Sequence, residues 1–252
     1  MPARGVVNHG APIWIDLGTD DLAAAVTFYT ALFGWEHQDF GAEFGHYGQF
    51  LHQGAPVAGV GPSQPADQPS EWCVYLATSD VEAAATAVTT HGGTVLVPPD
   101  GVPGQGRFLM AADPAGTTLG FWQPDGHDGF ARVMEPGAPC WFEIWTADYD
   151  ATLSFARDAL GWDTHDMPGD DMRYATNGPE QDATAGVFDA AAEVGPGGSA
   201  WLVYLGTDDV DAAAARVREL GGTVHDEPVN TPFGRQVTVS DPTGGRFRLI
   251  AT

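Results

Sequence analysis

EWCVYLATSDVEAAA at 71–85 returns as AWLVYLGTDDVDAAA at 200–214, 129 residues later. Each copy reads as a short apolar strand, an aspartate and an alanine-rich helix. Asp80 and Asp209 are suited to cap those helices, offering an acceptor and a negative charge to the free N–H end. The match spreads outward in both directions. FYTALFGW (28–35) pairs with FARDALGW (155–162), and PVAGV (56–60) with ATAGV (183–187), both at an offset of 127. HGGTV (91–95) pairs with LGGTV (220–224), Gly106-Arg107 with Gly234-Arg235, and DPAGTTLGFWQ (113–123) with DPTGGRFRLIA (241–251). One repeat of about 130 residues therefore occurs twice and spans nearly the whole chain.

Each repeat hides a weaker half-repeat. Asp21 and Asp80 open helices 59 residues apart, and Asp148 and Asp209 do so 61 apart. The pattern is strand, Asp, helix, small strands, giving four βαβββ modules and an α+β fold. IWIDL (13–17) and CWFEIW (140–145) have the length and apolar content of strands. Leu22, Val26, Tyr29 and Phe33 recur at helical spacing and predict one buried stripe, ended by Gly34 in a left-handed cap. Ala83–Val88 and Ala212–Val217 predict matching helices closed by Gly92-Gly93 and Gly221-Gly222. The DPxG segments are turns, with Asp first, Pro fixing φ and Gly last. PDGHDGFARVMEPGAP (124–139) has no period and is rich in Gly and Pro. The expected division is domain 1 at 1–123, a linker at 124–138 and domain 2 at 139–252. SQPADQPS (63–70) and AEVGPGGS (192–199) are the loops between half-modules.

Composition narrows the function classes. The 252 residues, 43% hydrophobic, suffice for two domains with sizeable cores. With 34 acidic and 10 basic residues the net charge is −24, which repels nucleic acid and anionic membranes. No apolar run approaches the roughly 20 residues of a membrane span, and the N-terminal segment lacks a signal-peptide core. A cytoplasmic protein is expected. Cys73 and Cys140 are too few and too far apart for a disulfide framework or a zinc site, and read as reduced residues in strands.

The order of these motifs resembles the vicinal oxygen chelate superfamily, which includes glyoxalase I, bleomycin-resistance proteins and extradiol dioxygenases. The motifs in order are strand–Asp–helix ending FYxxLFGW, VYLxxxDVxAA, HGGTV, GR and DPxGxxLxFW. The resemblance covers 12–123 and 139–251. It implies two tandem domains, each pairing two βαβββ modules into a curled mixed sheet around a cleft. It also implies metal ligands on the first and last strand of each module. Counted from the helix-opening Asp, the first-strand ligand positions are Trp14, Cys73, Trp141 and Leu202. The last-strand Glu position falls on Gly120 and Arg248, and the mid-repeat last strands hold no His or Glu. A catalytic ion of this kind needs about three N or O donors. Trp, Gly and Leu donate nothing and Arg repels a cation. No cofactor is therefore expected at these positions, and a divalent metal would have to be held by residues elsewhere.

Strand alternation assigns faces. Trp14 and Asp16 face the cleft side in the first module, and Trp141, Glu143 and Trp145 in the third. Tyr75, Tyr204, Trp122, Arg246 and Arg248 fall on the same side. The ligand-binding candidates are Trp14, Asp16, Tyr75, Trp122, Trp141, Glu143, Trp145, Tyr204 and Arg248. One reading is a stacking pocket with an orienting carboxylate. The other is that the aromatics fill a concave face, with Glu143 an ion-pair partner of Arg248. Gly120 leaves space where Arg248 adds bulk, so the first cleft is expected to be open and the second closed. Histidines are expected at solvated or capping positions. If the chain is an enzyme, His46 or His52 is the base, with Asp16 and Glu143 as further weak catalytic candidates. Arg107 and Arg235 are expected to tie loops down.

The expected function is metal-free binding of a small, partly aromatic molecule, such as a toxic natural product. The alternatives are a lyase, isomerase or hydroxylase-like enzyme on a small carbonyl or phenolic substrate, and a scaffold with filled clefts. The partner is a small molecule, with no nucleic acid and no membrane. The chain is either a monomer with an internal pseudo-dimer or a homodimer.

Overall fold

The computed structural model describes residues 8–64, 68–167, 172–195 and 198–252. The middles of the two half-module loops, 65–67 and 196–197, lie outside the described residues. The first module is β1 (Pro12–Thr19), α1 (Leu22–Phe33), β2 (Glu36–Asp39), β3 (Gly48–His52) and β4 (Ala55–Pro62). The second is β5 (Glu71–Ala77), α2 (Val81–Thr90), β6 (Thr94–Val102), β7 (Gly106–Ala112) and β8 (Thr118–Pro124). The third is β9 (Pro139–Thr146), α3 (Tyr149–Asp158), β10 (His165–Asp166), β11 (Tyr174–Thr176) and β12 (Ala185–Asp189), followed by a one-turn helix α4 (Ala191–Val194). The fourth is β13 (Ala200–Thr207), α5 (Val210–Glu219), β14 (Thr223–Val224), β15 (Val229–Thr231), β16 (Gly234–Ser240) and β17 (Arg246–Ala251).

Four βαβββ modules are therefore present in two mixed sheets, the fourth with the strand after its helix split into β14 and β15, which both pair with β16. The first has the order β2-β3-β4-β1-β5-β8-β7-β6, the second β10-β11-β12-β9-β13-β17-β16-β14, with β15 also on β16. In every module the first and last strands pair in parallel, which the intervening helix permits. By backbone contacts the chain forms two compact units. One contains the described residues up to Trp14, Val74–Gly129 and Phe142–Trp201; the other contains Ile15–Cys73, Phe130–Trp141 and Leu202–Thr252.

The local chemistry behaves as its residue types dictate. Asp21 accepts from the Ala24 amide, Asp80 from Glu82 and Ala83, Asp148 from Ala151 and Asp209 from Ala212. Gly34 ends α1 at φ 67°, in the left-handed region. The buried stripe of α1 is rotated from the expected one. Ala25, Phe28 and Tyr29 are fully buried, while Leu22, Val26 and Phe33 lie at its half-buried margins. The cause is Phe28, which reaches Phe247 at 6.3 Å and centres the face. The second glycine of each GG pair permits that helix packing. A Cβ on Gly222 would stand 3.0 Å from the Phe28 ring, and one on Gly93 would stand 2.8 Å from the ring of Phe155. The Trp of each GW motif anchors a backbone carbonyl: Trp35 Nε1 donates to Gly137 O and Trp162 Nε1 to Gly10 O, both at 2.8 Å.

Cys73 lies in β5 and Cys140 in β9, and neither is in a disulfide. Burial pushes the Cys140 thiol up to about 11, which keeps it protonated and unreactive.

Candidate functional site

Parallel pairing of β1 with β4 sets Asp16 opposite Gly59. Tyr47, just before β3, lays its ring across that glycine. Its hydroxyl donates to Asp16 Oδ1 at 2.9 Å. The glycine is obligatory, because a Cβ there would stand 2.2 Å from the Tyr47 hydroxyl. The third module builds the same arrangement. Glu143 on β9 is opposite Gly186 on β12, and Tyr174 on β11 crosses the glycine. The Tyr174 hydroxyl donates to Glu143 Oε1 at 2.9 Å, and a Gly186 Cβ would stand 2.2 Å from it. Glu143 Oε2 also accepts from Trp145 Nε1 at 2.9 Å, and the residue is only 8% exposed. All three members of the trio recur at an offset of 127.

The second and fourth modules diverge. Tyr75 is the register partner of Gly120, and a Cβ on Gly120 would stand 2.3 Å from the Tyr75 ring. The space left by Gly120 is therefore filled by Tyr75. In the fourth module Tyr204 faces Arg248 in register. Arg248 donates through Nη1 to the Tyr204 hydroxyl at 2.8 Å, and through Nε and Nη2 to Thr238 Oγ1. Its guanidinium lies 5.2 Å from the Tyr204 ring centroid.

A third cluster joins Trp14 and Trp122 through the linker. The His127 ring stands edge-on to Trp14, with centroids 4.5 Å apart, and 5.6 Å from Trp122. Trp122 Nε1 donates to the His127 carbonyl at 2.8 Å, and the His127 amide donates to Gln105 O at 2.9 Å. Its Nε2 is buried without a hydrogen-bond partner among the described residues. Burial lowers its pKa, partly offset by Asp128, so the ring is neutral near pH 7. This half-buried histidine departs from the solvated position expected for it, because the Gly-rich linker folds back onto the aromatic pair.

The other candidates fall as follows. Trp141 is half-buried, while Trp145 is buried and stands 5.4 Å from Phe188. His46 is exposed at φ 58° in the turn before β3, its Nδ1 3.2 Å from Asp39 Oδ2. His52 ends β3 beside Gly137; burial first, then Arg132, lowers its pKa. Arg107 pairs with Glu82 of α2 at 2.7 Å, and Arg235 with Asp211 of α5 at 2.6 Å. Both arginines thus bind helix ends, and exposure keeps such pairs weak.

The residues at the positions that the resemblance assigns to the superfamily's ion do not suit a metal. Trp14, Trp141, Leu202 and Gly120 carry no side-chain metal donor, Cys73 is a single thiol, and Arg248 is a cation anchored to Tyr204 and Thr238. Among the described residues no group of three or more His, Cys, Asp or Glu is placed to hold a metal.

Sequence reasoning named Asp16 and Glu143 but missed Tyr47, Tyr174 and the two glycines. The signal was available: each shares the 127-residue offset of the flanking motifs.

A family model described as Glyoxalase/Bleomycin resistance protein/Dioxygenase superfamily matches residues 11–121 and 139–249. The chain is 35% identical to the "Anthracycline biosynthesis protein DauV" of Streptomyces sp. (strain C5), over 96% of this chain and 93% of that protein. It is also 35% identical to the "Putative glyoxylase CFP32" of Mycobacterium bovis, over 99% and 98%. Its fold is similar to that of the Mn(II)-bound glyoxalase from Novosphingobium aromaticivorans. The TM-score is 0.68 at 19% identity, covering 96% of this chain and 82% of that one.

Proposed function

The chain belongs to the glyoxalase/bleomycin resistance protein/dioxygenase superfamily, as two tandem domains, and we propose that it binds a small polycyclic phenol or quinone without a resident metal. The observation that carries this reading is the carboxylate–tyrosine pair repeated on the first and third modules. A carboxylate held by a tyrosine is an oriented acceptor for a ligand hydroxyl, and partial burial strengthens that bond. Trp14, Trp122, Trp145 and Tyr204 are buried, and the half-buried Tyr75 and Trp141 supply flat apolar area for stacking. The relative named for anthracycline biosynthesis supports a polycyclic aromatic ligand. The donor-poor ligand positions support binding that needs no ion. No helix among the described residues is long and apolar enough to cross a membrane.

Saturable quenching of tryptophan fluorescence by 1,4-dihydroxyanthraquinone tests this directly. A micromolar dissociation constant is expected. No quenching by that compound or by a panel of polycyclic phenols would contradict the reading. The glyoxylase-named relative keeps an enzyme as the second reading. Metal-dependent turnover of the methylglyoxal–glutathione hemithioacetal would favour it.

A further inference from the structure

We propose that a groove of the third module, between α3 and the β10–β11 pair, is a further small-molecule site, and that it takes a free α-amino acid with an apolar side chain. This site is independent of the phenol or quinone reading above.

The groove is a cavity of about 410 Å³, within the roughly 300–1,000 Å³ of small-molecule sites. One wall is a single face of α3, where Tyr149, Leu153 and Arg157 follow one another at every fourth position. Asp166 of β10, with Met167 after it and Met172 before β11, supplies the other wall. Tyr149 and Leu153 are buried and form an apolar floor. The methionines are unbranched and adapt to varied ligand shapes. Arg173 also borders the groove, its guanidinium 4.3 Å from the Tyr149 ring centroid. Ion pairs to Asp150 and Asp189 hold it there.

Three polar groups of this cavity are unpaired. The Tyr149 hydroxyl makes no hydrogen bond among the described residues, and Asp166 joins neither a hydrogen bond nor an ion pair among them. Arg157 Nε donates to the Thr164 hydroxyl, and both Nη groups are without a partner among the described residues. The three act on one another electrostatically. Burial raises the Tyr149 pKa first, Asp166 raises it further, and Arg173 and Arg157 lower it. The phenol therefore keeps its proton near pH 7 and can donate it to a ligand.

The first module shows that folding does not require this set. At the offset of 127, Leu22, Val26 and Thr30 stand for Tyr149, Leu153 and Arg157, and Gly45 stands for Met172. Thr30 turns back on its own helix, Oγ1 donating to the Val26 carbonyl at 2.7 Å. Asp39, the counterpart of Asp166, accepts from the Gly41 amide at 2.7 Å and lies 3.2 Å from His46 Nδ1. The third module instead brings an open acid, an open guanidinium and apolar surface into one cavity.

The chemistry of the lining defines the ligand. A guanidinium offers a fork of N–H donors that suits a carboxylate, and the Asp166 carboxylate accepts from an ammonium. Leu153, Met167 and Met172 receive an apolar side chain. A ligand with both charges has no net charge, so it escapes the repulsion that the chain's −24 imposes on an anion. A ligand with only one charge leaves either Arg157 or Asp166 without a partner.

Calorimetric titration of the full chain with L-phenylalanine, phenylalaninamide and 3-phenylpropanoate tests this. The amide lacks the carboxylate, and the propanoate lacks the ammonium. L-Phenylalanine should bind at one site per chain, and each analogue about tenfold more weakly. Arg157→Gln should lower the affinity for L-phenylalanine to that of the amide. Asp166→Asn should lower it to that of the propanoate. Both side chains are exposed, so both variants should unfold as the wild type does. No saturable binding of L-phenylalanine would overturn the proposal. So would equal affinity for the three probes, or variants that bind L-phenylalanine as tightly as the wild type.

Discussion

Asp113 and Asp241 occupy the same place in the two DPxG turns, yet they are satisfied differently. Asp241 Oδ2 accepts from the Tyr29 hydroxyl at 2.9 Å, and that hydroxyl accepts from Trp72 Nε1 at 3.1 Å. Asp113 Oδ2 accepts from Thr152 Oγ1 at 2.9 Å, and Thr152 bonds Thr146 at 2.8 Å. The Trp72 equivalent, Trp201, has its Nε1 buried without a partner among the described residues, because Ala156 stands where the other copy has Tyr29. One aspartate is thus held by a buried aromatic chain and the other by a chain of small hydroxyls. In both turns the motif's acid is a structural acceptor. This explains how the frame outlasts the superfamily's metal ligand: the turn serves the core.

The contrast yields measurable differences. Tyr29→Phe removes a hydroxyl that serves both Trp72 and Asp241. It should destabilise the chain by about 2–4 kcal/mol in urea unfolding. A loss under about 0.5 kcal/mol would show that the buried chain is not a significant support. Trp72→Phe should be worse than Trp201→Phe by about 1–2 kcal/mol, since only the first strands a buried partner. Equal losses would mean that Trp201 has gained a water as partner. Thr152→Val should cost about 1–2 kcal/mol by leaving Asp113 short of one donor. Burial already raises the Asp113 pKa, so the loss should shrink as pH falls and the carboxyl protonates.

The smallest expected effect concerns His127. Its folded pKa lies below the ordinary histidine value near 6.5, chiefly because of burial. The unfolded chain therefore takes up the proton first. The stability contribution is full above about pH 6.5 and is lost as pH falls below it. His37, His52 and His225 are shifted in the same direction. The test is thus a difference: His127→Gln should lose less stability than wild type between pH 7 and 5. An identical loss would mean that the imidazole stays solvated.

Much of the fold was legible because the repeat offsets of 127 and 129 are written in strong local chemistry. Capping aspartates, closing glycines and GW anchors act within a few residues of their own position. The candidate site was legible only in part. Asp16 and Glu143 follow from strand alternation, but Tyr47 and Tyr174 act 31 residues away, across a glycine strand. Neither alternation nor periodicity reports such a reach. His127 was missed for a similar reason: a Gly-rich linker has no period from which its packing could be inferred. The filling of Gly120's space by Tyr75 depends on parallel register between β5 and β8, which the sequence does not specify.

The central claim is binding without a resident ion. Elemental analysis of the purified protein, combined with 1,4-dihydroxyanthraquinone titration before and after exhaustive chelation, tests it most directly. The account predicts substoichiometric metal and an unchanged dissociation constant. Stoichiometric Mn, Fe, Ni or Zn, with affinity lost on chelation and restored by the ion, would contradict it.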